Sequence, residues 1–282
     1  MGFSDAYQFF LEQVSAQQLS AGLRTNYGRS IAYVALHFNR LPHQISIEEL
    51  NAYFYRCTEV EGRSLSYFKH AVFGLRFWFR IFGMEENAIK LPSIKKNNTL
   101  PVVLSKKECK ALFVAPRTFK HRYLLAFSYG CGLRMNELRL LKITDVDLER
   151  KCVHVRMGKG KKDRYVLLST LLGRKFYEYL AACNPRVYLF EGQIPGEPMG
   201  ERSIQYVINE ALKRTDIKKQ VSMHTLRHSF ATHLLEDGVD IHSIQHLLGH
   251  ADLRTTMVYL HVAQIRAKPA HSPLDSLYGF HK

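Results

Sequence analysis

Apolar residues recur every three or four positions through most of the first 83 residues, which is the spacing of one face of an α-helix. Four such segments follow one another. The third begins with Ser46 and Glu49, the signature of a capping box. The fourth carries an apolar stripe at Phe68, Val72, Leu75, Phe79 and Phe82. The pattern predicts a compact four-helix domain, which we place at residues 1–88.

The pattern changes after this domain. Pro92 and Pro101 flank a basic polar run without a period, so residues 89–104 are predicted to be an interdomain linker. Helical spacing then returns, starting at a capping box formed by Ser105 and Glu108. Two alternating segments on either side of a Gly/Lys-rich turn predict a β-hairpin. The fold class is therefore mainly α with a small β-hairpin or sheet, with an α+β domain at 105–265 and a tail at 266–282.

Composition excludes several classes of protein. Hydrophobic residues make up 46% of the 282, which is typical of a globular chain and not of a disordered one. No apolar run reaches the roughly 20 residues of a membrane span, and no signal peptide is visible. Five scattered cysteines without a C-x-x-C motif are typical of a reducing cytosol. We therefore expect a cytoplasmic protein without a membrane partner.

Charge points to the kind of partner. The chain carries 40 Lys and Arg against 25 Asp and Glu, a net charge of +15, and most of the excess lies after residue 100. Such an excess indicates a polyanion such as nucleic acid.

One C-terminal stretch concentrates side chains suited to phosphoryl chemistry. On a helix, His224 and Arg227 lie one turn apart on the same face. An apolar helical run then ends at Gly249, a helix-stop residue directly before His250, and Tyr259 follows on a predicted short helix. A cation, neutral hydrogen-bond donors and a phenol together suit an oxygen nucleophile that attacks a phosphodiester.

These motifs resemble the tyrosine recombinases, the family of the lambda-integrase, Xer and Cre site-specific DNA strand-exchange enzymes. Six residues follow that family's order of catalytic groups: Arg134, Lys159, His224, Arg227, His250 and Tyr259. The resemblance covers residues 105–265 by motif, whereas residues 1–88 resemble the family's helical, SAM-like core-binding domain only in kind. It implies a two-domain C-clamp that holds duplex DNA.

The resemblance also implies roles for these residues. Arg134 and Arg227 are permanent cations that can each bond two oxygens, which suits the charge of the transition state. Tyr259 would be the nucleophile, and because a free phenol has a pKa of about 10, His224 is our candidate for removing its proton. His250 is the candidate for a hydrogen bond to a non-bridging oxygen.

Two further groups complete the implied machinery. Lys159, on the hairpin, resembles the family's general acid for the leaving 5′-oxygen, and Lys161 is an alternative to it. Glu137, one turn after Arg134, resembles a carboxylate that orients the catalytic groups from behind. The guanidinium and ammonium groups would do the work of a metal, so we expect no metal, no other cofactor and no ATP.

The implied function is that of a site-specific DNA recombinase that acts through a covalent 3′-phosphotyrosine and a Holliday junction. The tail segment Ser272-Pro-Leu-Asp resembles the tails of integron-type integrases. The inserted helix that marks those integrases is not apparent between Phe190 and Glu201. We favour an integrase or transposase-like enzyme of a mobile element. The alternatives are an Xer-type chromosome or plasmid dimer resolvase and a catalytically silent DNA-binding regulator. Recombination implies a homotetramer on paired duplex sites, with the tail exchanged between protomers. It also implies accessory DNA-bending proteins and association with the nucleoid.

Several basic residues outside the motif are candidate DNA contacts, with a solvated surface as the alternative for each: Lys95, Lys96, Lys161, Lys162, Arg164, Arg24 and Arg76. His228 and His233 are interpreted as core or helix-face residues. A rival hypothesis is a metal-dependent hydrolase, because His224 with His228 and His246 with His250 each have the i,i+4 spacing that can chelate zinc.

Overall fold

The computed structural model of the chain describes residues 2–17, 19, 21–94, 100–156 and 163–263. The chain divides into two compact units, Met1–Asn98 and Thr99–Lys282. Among the helices of the described ranges, none combines the length and the apolar character that a membrane span requires.

The first unit is helical and has its own core. Ser46 caps its third helix, since the Glu49 amide donates to Ser46 Oγ (3.2 Å) and the Ser46 amide donates to Glu49 Oε2 (2.9 Å), which confirms the predicted capping box. The core is built mainly from aromatic and branched side chains, among them the fully buried Phe10, Ile31 and Trp78. The elements are α1 (Phe3–Ala16), α2 (Ala21–Phe38), a 3-10 helix (Pro42–Gln44), α3 (Ile47–Tyr55), a π-helix (Arg56–Val60), α4 (Leu65–Ile81) and α5 (Glu85–Ile89).

The second unit surrounds one small sheet with helices, and the second predicted capping box, at Ser105 and Glu108, is present. Its helices are α6 (Lys106–Val114), α7 (Phe119–Gly130), α8 (Met135–Arg139), α9 (Thr170–Cys183), α10 (Glu201–Leu212), α11 (Met223–Glu236), α12 (Ile241–Leu248) and α13 (Arg254–Met257). Two 3-10 helices, Ile143–Asp145 and Val258–His261, complete the helical part.

The sheet has three antiparallel strands in the order β1 (Val146–Asp147), β2 (Cys152–Val155) and β3 (Arg164–Leu167). The hairpin of β2 and β3 is the predicted one, with Val153 opposite Val166. The two-residue strand β1 was not predicted, because two residues are too few to show a period. The fold class, mainly helical with a small antiparallel sheet, is confirmed.

The sequence predicts a short strand or a buried extended segment at residues 187–190, and the structure forms no regular strand there. Leu189 and Phe190 are fully buried, but this segment contributes only a bridge between Tyr188 and Lys142. A short apolar run signals burial without deciding the backbone conformation.

Helix α11 carries the His224–Arg227 motif through the middle of the second unit. Ten of its 14 residues are buried, so it is enclosed on almost all sides. Its neighbours include α7 and α12. The chain leaves both of these helices through a glycine in the left-handed region, Gly132 (φ +58°) and Gly249 (φ +62°). These two turns bring α8 and His250 back against α11.

Candidate active site

Arg134 is held at the start of α8 by the carboxylate of Glu137. It occupies the N-cap position, where its own amide donates to Glu137 Oε2 (2.8 Å). Its guanidinium donates to Glu137 Oε1 (2.8 Å) and to the carbonyl of Gly249 (3.2 Å). Backbone and side chain of Arg134 are therefore both held by one acidic residue three positions later.

Arg227 is buried in α11 and bonds two backbone carbonyls. Its guanidinium donates to Gly132 O (2.6 Å) and Leu248 O (2.5 Å) and lies 3.8 Å from Glu137 Oε2. Burial, and then the neighbouring positive charge of Arg134, lower the pKa of Arg227 to about 9. The guanidinium therefore remains cationic at neutral pH.

Glu137 binds a third guanidinium, that of Arg164. Arg164 donates from Nη1 to Glu137 Oε1 (2.9 Å) and from Nη2 to Oε2 (2.8 Å), the bidentate geometry of a strong ion pair. Burial acts to raise the pKa of Glu137, but the hydrogen bonds and charge of Arg164, together with the hydrogen bonds of Arg134, lower it to about 2. The carboxylate is thus ionised throughout the physiological range.

The position of Arg164 corrects a prediction. We expected it among the DNA contacts, but its side chain is only 7% exposed and its guanidinium is fully engaged, since Nε also donates to Leu247 O (2.9 Å). The alternation of β3 carried this information, because Arg164 shares a strand face with the buried Val166.

His250 follows the left-handed Gly249 at the end of α12. Its amide donates to Gln245 O (3.1 Å), and its Nδ1 lies 2.9 Å from the hydroxyl of the buried Thr256. Burial, followed by the charges of Arg227 and Arg134, lowers the pKa of His250 to about 3. The imidazole is therefore neutral at pH 7, with one nitrogen committed to Thr256.

Tyr259 lies on the 3-10 helix Val258–His261 with only 1% of its surface exposed. Its ring stacks against that of His250, with centroids 6.4 Å apart. Burial raises the pKa of its phenol, whereas the charges of Arg227 and Arg134 act to lower it. The two guanidiniums predicted to bind phosphate therefore lie within electrostatic reach of the predicted nucleophile.

The hydroxyl of Tyr259 contacts His228, which the sequence interpretation had assigned to the core or to a helix face. Nδ1 of His228 lies 3.0 Å from Tyr259 Oη. His224, our candidate for removing the phenol proton, is exposed, and its ring centroid lies 6.4 Å from that of His228. The i,i+4 spacing of the two histidines was the only signal in the sequence that places His228 near the motif.

Five predicted residues lie outside the described ranges: the general-acid candidates Lys159 and Lys161, and the DNA-contact candidates Lys95, Lys96 and Lys162. Two further candidates lie in the described part of the first unit, and of these Arg24 is partly exposed on α2. Arg76 is half-buried, donates to Pro92 O (3.4 Å) and lies over the ring of Phe73.

The histidine pairs behind the metal-hydrolase hypothesis do not form a metal site within the described part of the chain. No group of three or more His, Cys, Asp or Glu side chains there is arranged to hold an ion. His228 and His250 instead direct Nδ1 at hydroxyl groups, those of Tyr259 and Thr256.

These contacts define the chemistry that the site can perform. Three guanidiniums surround one carboxylate, so the cluster has an excess of two positive charges before any ligand is bound. A phosphodiester beside Arg134 and Arg227 would neutralise part of this excess, and a phenol already lies next to it.

Comparison with known proteins identifies the same chemistry. The profile of the Phage integrase family matches residues 89–266. "Putative integrase/recombinase y4qK" of Sinorhizobium fredii is 33% identical over 94% of this chain and 87% of its own length. The tyrosine recombinase XerA of Thermococcus onnurineus is 40% identical over 78% of this chain and 79% of its own.

A solved structure agrees with these relatives. The XerH site-specific recombinase bound to difH substrate, in a pre-cleavage complex, is 26% identical with a TM-score of 0.60, over 86% of this chain and 72% of that one. The resemblance seen in the sequence motifs is confirmed. The chain belongs to the Phage integrase family and is a tyrosine recombinase, an enzyme that breaks and rejoins DNA strands.

Proposed function

We propose that this tyrosine recombinase serves a mobile element, as an integrase or transposase-like enzyme that exchanges strands between specific sites of double-stranded DNA. Tyr259 would attack the scissile phosphodiester to form a 3′-phosphotyrosine, and strand exchange would pass through a Holliday junction. The observation that carries the catalytic part of the proposal is the joint anchoring of Arg134 and Arg227 by Glu137 beside the buried phenol of Tyr259.

The arginines would stabilise the transition state. Attack by a phenol adds negative charge to the non-bridging oxygens, and donors fixed before the reaction need no reorganisation when that charge develops. Arg134 and Arg227 are fixed in this sense, since each guanidinium bonds at least one backbone carbonyl. Removing one such donor costs about 3–4 kcal/mol of transition-state stabilisation in comparable sites.

The remaining roles rest on the family pattern. His250 would donate to a non-bridging oxygen through the ring nitrogen that Thr256 does not bind. Lys159 would protonate the leaving 5′-oxygen, with Lys161 as the alternative. His224 would assist the removal of the phenol proton. The 3′-phosphotyrosine retains the energy of the phosphodiester, so a new 5′-hydroxyl can rejoin the strand without ATP.

The proposed assembly follows from the reaction. Two duplex sites, each bound by two protomers, require a homotetramer, and the tail after residue 265 would exchange between protomers. Accessory DNA-bending proteins would be further partners, and the cytoplasmic nucleoid would be its place of action. Binding of a DNA substrate by XerH, a relative of the same fold, supports the DNA partner.

The mobile-element role is favoured over two alternatives. It is supported by the relative y4qK, whose name describes an integrase/recombinase and which aligns with 94% of this chain. An Xer-type dimer resolvase is the second candidate, because XerA of Thermococcus onnurineus is 40% identical. A catalytically silent regulator is disfavoured because the motif positions are filled.

The experiment uses labelled duplex fragments from both sides of the chain's own gene, in intact and nicked form, in the presence of EDTA. We expect an SDS-resistant protein–DNA adduct with the wild-type protein and none with Tyr259→Phe, because the variant lacks the attacking oxygen. Tyr206→Phe, at a 61% exposed tyrosine of the same unit, is the matched control and should still form the adduct.

Three results would contradict parts of this proposal. An adduct with Tyr259→Phe would mean that another residue is the nucleophile. Retarded complexes without an adduct would favour the silent regulator. An adduct at a chromosomal or plasmid dimer-resolution site, but none on the flanking fragments, would favour the Xer-type role.

A further inference from the structure

The contact between His228 and Tyr259 assigns a role to a residue outside the six motif positions. Nδ1 of His228 lies 3.0 Å from the phenol oxygen, within hydrogen-bond distance of the atom that attacks phosphorus. A neutral imidazole that carries its proton on Nε2 has a lone pair on Nδ1, and it would accept the hydrogen bond of the phenol there. The predicted base, His224, lies one turn earlier on the same helix, with its ring centroid 6.4 Å from that of His228.

We propose that His228 is a catalytic residue of strand cleavage, which accepts the hydroxyl proton of Tyr259 at Nδ1 as the phenol oxygen attacks. This inference rests on the proposed role of Tyr259 as nucleophile. The Tyr259 Oη–phosphorus bond forms and the phosphorus–O5′ bond breaks. The phenol proton moves to His228, and the leaving oxygen takes a proton from the general acid, for which Lys159 is proposed. In the rejoining step, a 5′-hydroxyl attacks phosphorus and gives its proton to the deprotonated general acid, the phosphorus–Tyr259 Oη bond breaks, and protonated His228 returns the proton to Tyr259.

The surroundings of His228 keep its ring neutral, so that its Nδ1 lone pair is free of a proton before the reaction. Burial, followed by the charges of His224 and Arg227 on the same helix, lowers the pKa of His228 to about 4, so its ring is neutral at pH 7. From the other packed elements, Tyr259 and His250 face it. A bound phosphodiester adds negative charge beside these groups and would raise the proton affinity of His228 at the moment of reaction.

His224 then acquires a place one step further from the phenol. Exposure increases from Tyr259, which is buried, through the half-buried His228 to the exposed His224. The ring centroids of Tyr259 and His228 are 5.7 Å apart, and those of His228 and His224 are 6.4 Å apart. This order places His224 where it could take up the proton from His228 after cleavage and return it before rejoining, which is consistent with the function expected of His224.

The first test needs no DNA. The full-length protein with ¹⁵N-labelled histidine is studied by NMR at pH 7, with the His228 signals assigned through His228→Gln. We expect a neutral ring with its proton on Nε2, and a change of the Nδ1 signal in Tyr259→Phe. A proton on Nδ1, or a cationic ring at pH 7, would overturn the proposal, because His228 could then not accept the phenol proton.

The second test measures single-turnover cleavage of the DNA that gives the adduct. We expect His228→Gln to cleave about 10²–10⁴-fold more slowly, the usual contribution of a general base. The wild-type rate should rise with pH as His228 loses its proton, and this limb should be absent in the variant. Gln keeps a hydrogen-bond acceptor without being a base, so a merely positioning role predicts little change.

His233→Gln is the matched control. His233 lies on the same helix, is 5% exposed and makes the same kind of contact, between its Nδ1 and the hydroxyl of Tyr129 (2.8 Å), away from the nucleophile. Its variant should cleave within about twofold of the wild type, and thermal unfolding of both variants separates loss of fold from loss of chemistry. Cleavage by folded His228→Gln at the wild-type rate or faster would overturn the proposal. A missing wild-type adduct would count against the proposed function and would leave the NMR result standing.

Discussion

At Glu137, a single carboxylate faces the guanidiniums of Arg134, Arg164 and Arg227. Its side chain is 6% exposed, and the guanidiniums of Arg164 and Arg227 belong to side chains that are 7% and 4% exposed. Like charges at such short range repel one another strongly where water cannot screen them. Glu137 therefore makes it possible to gather the cations that bind phosphate before any phosphate is present.

We expect Glu137→Gln to destabilise the fold by about 3–5 kcal/mol at pH 7, because it leaves buried cations without their counter-charge. The measurement is the free energy of unfolding in urea as a function of pH. The carboxylate has a lower pKa folded (about 2) than unfolded (4.5), so its stabilisation is present above pH 4.5 and is lost as the pH falls toward 2.

The difference between wild type and Glu137→Gln should therefore shrink in acid. Glu149→Gln, at an exposed carboxylate of the same unit, is the control and should change stability by less than about 0.5 kcal/mol. An equal effect of both substitutions would show that Glu137 has no special role.

The C-terminus of α12 organises the same cluster from the other side. Its last carbonyls each accept a hydrogen bond from a different arginine: Leu247 from Arg164, Leu248 from Arg227, and Gly249 from Arg134. The final carbonyls of a helix have no partner within it and lie at its negative end, so they are natural acceptors for cations. One helix end thus sets the relative position of three guanidiniums.

Gly249 is the residue on which this arrangement depends. It has φ +62°, and an added Cβ would approach Arg164 Cδ to 2.9 Å. We expect Gly249→Ala to cost about 1–2 kcal/mol in left-handed strain, to displace the Arg164 side chain and to slow cleavage at least tenfold. Unfolding and single-turnover cleavage are measured on the same preparation.

Gly238→Ala is the control on the other side of α12. Gly238 also has a positive φ (+90°), but an added Cβ would meet no atom within 4 Å. Gly238→Ala should therefore lower the free energy of unfolding by a similar amount but leave the rate of cleavage unchanged. Equal cleavage by the two alanine variants would mean that the end of α12 does not position the arginines.

The whole chain carries a net charge of +15, and its largest excess lies in the unit that holds the site. A protein that contacts duplex DNA through phosphates releases condensed counterions, and its affinity falls steeply with salt. With this charge, we expect phosphate contacts to supply most of the affinity and contacts with bases to supply the specificity.

We expect the affinity for duplex DNA to fall by about 10³-fold or more between 50 and 200 mM salt, which corresponds to six or more phosphate contacts. Fluorescence anisotropy with a labelled duplex gives the slope of log affinity against log salt. Tyr259→Phe changes no charge and should give the same slope. An affinity that hardly changes with salt would contradict a phosphate-dominated interface.

The order of residues along the chain was enough to predict the chemistry. Arg134, His224, Arg227, His250 and Tyr259 stand in helical registers and at helix ends that local sequence specifies, because capping serines and a helix-stop glycine act over a few residues. The same local rules predicted the helices of both units and the hairpin of β2 and β3. They also predicted Glu137 behind Arg134, since that pair is three positions apart, and the two side chains form an ion pair.

The partners that come from distant parts of the chain required the folded structure. Arg164 was expected on the surface, yet it meets Glu137 from 27 positions away, and His228 meets Tyr259 from 31 positions away. Such pairs depend on how β3, α11 and the 3-10 helix of Tyr259 pack against one another. The charge or polarity of a side chain does not reveal which distant group it will contact in the interior. The local motif therefore predicted the reacting groups and the carboxylate behind Arg134, whereas tertiary packing decided which carbonyls, third guanidinium and imidazole lie against them.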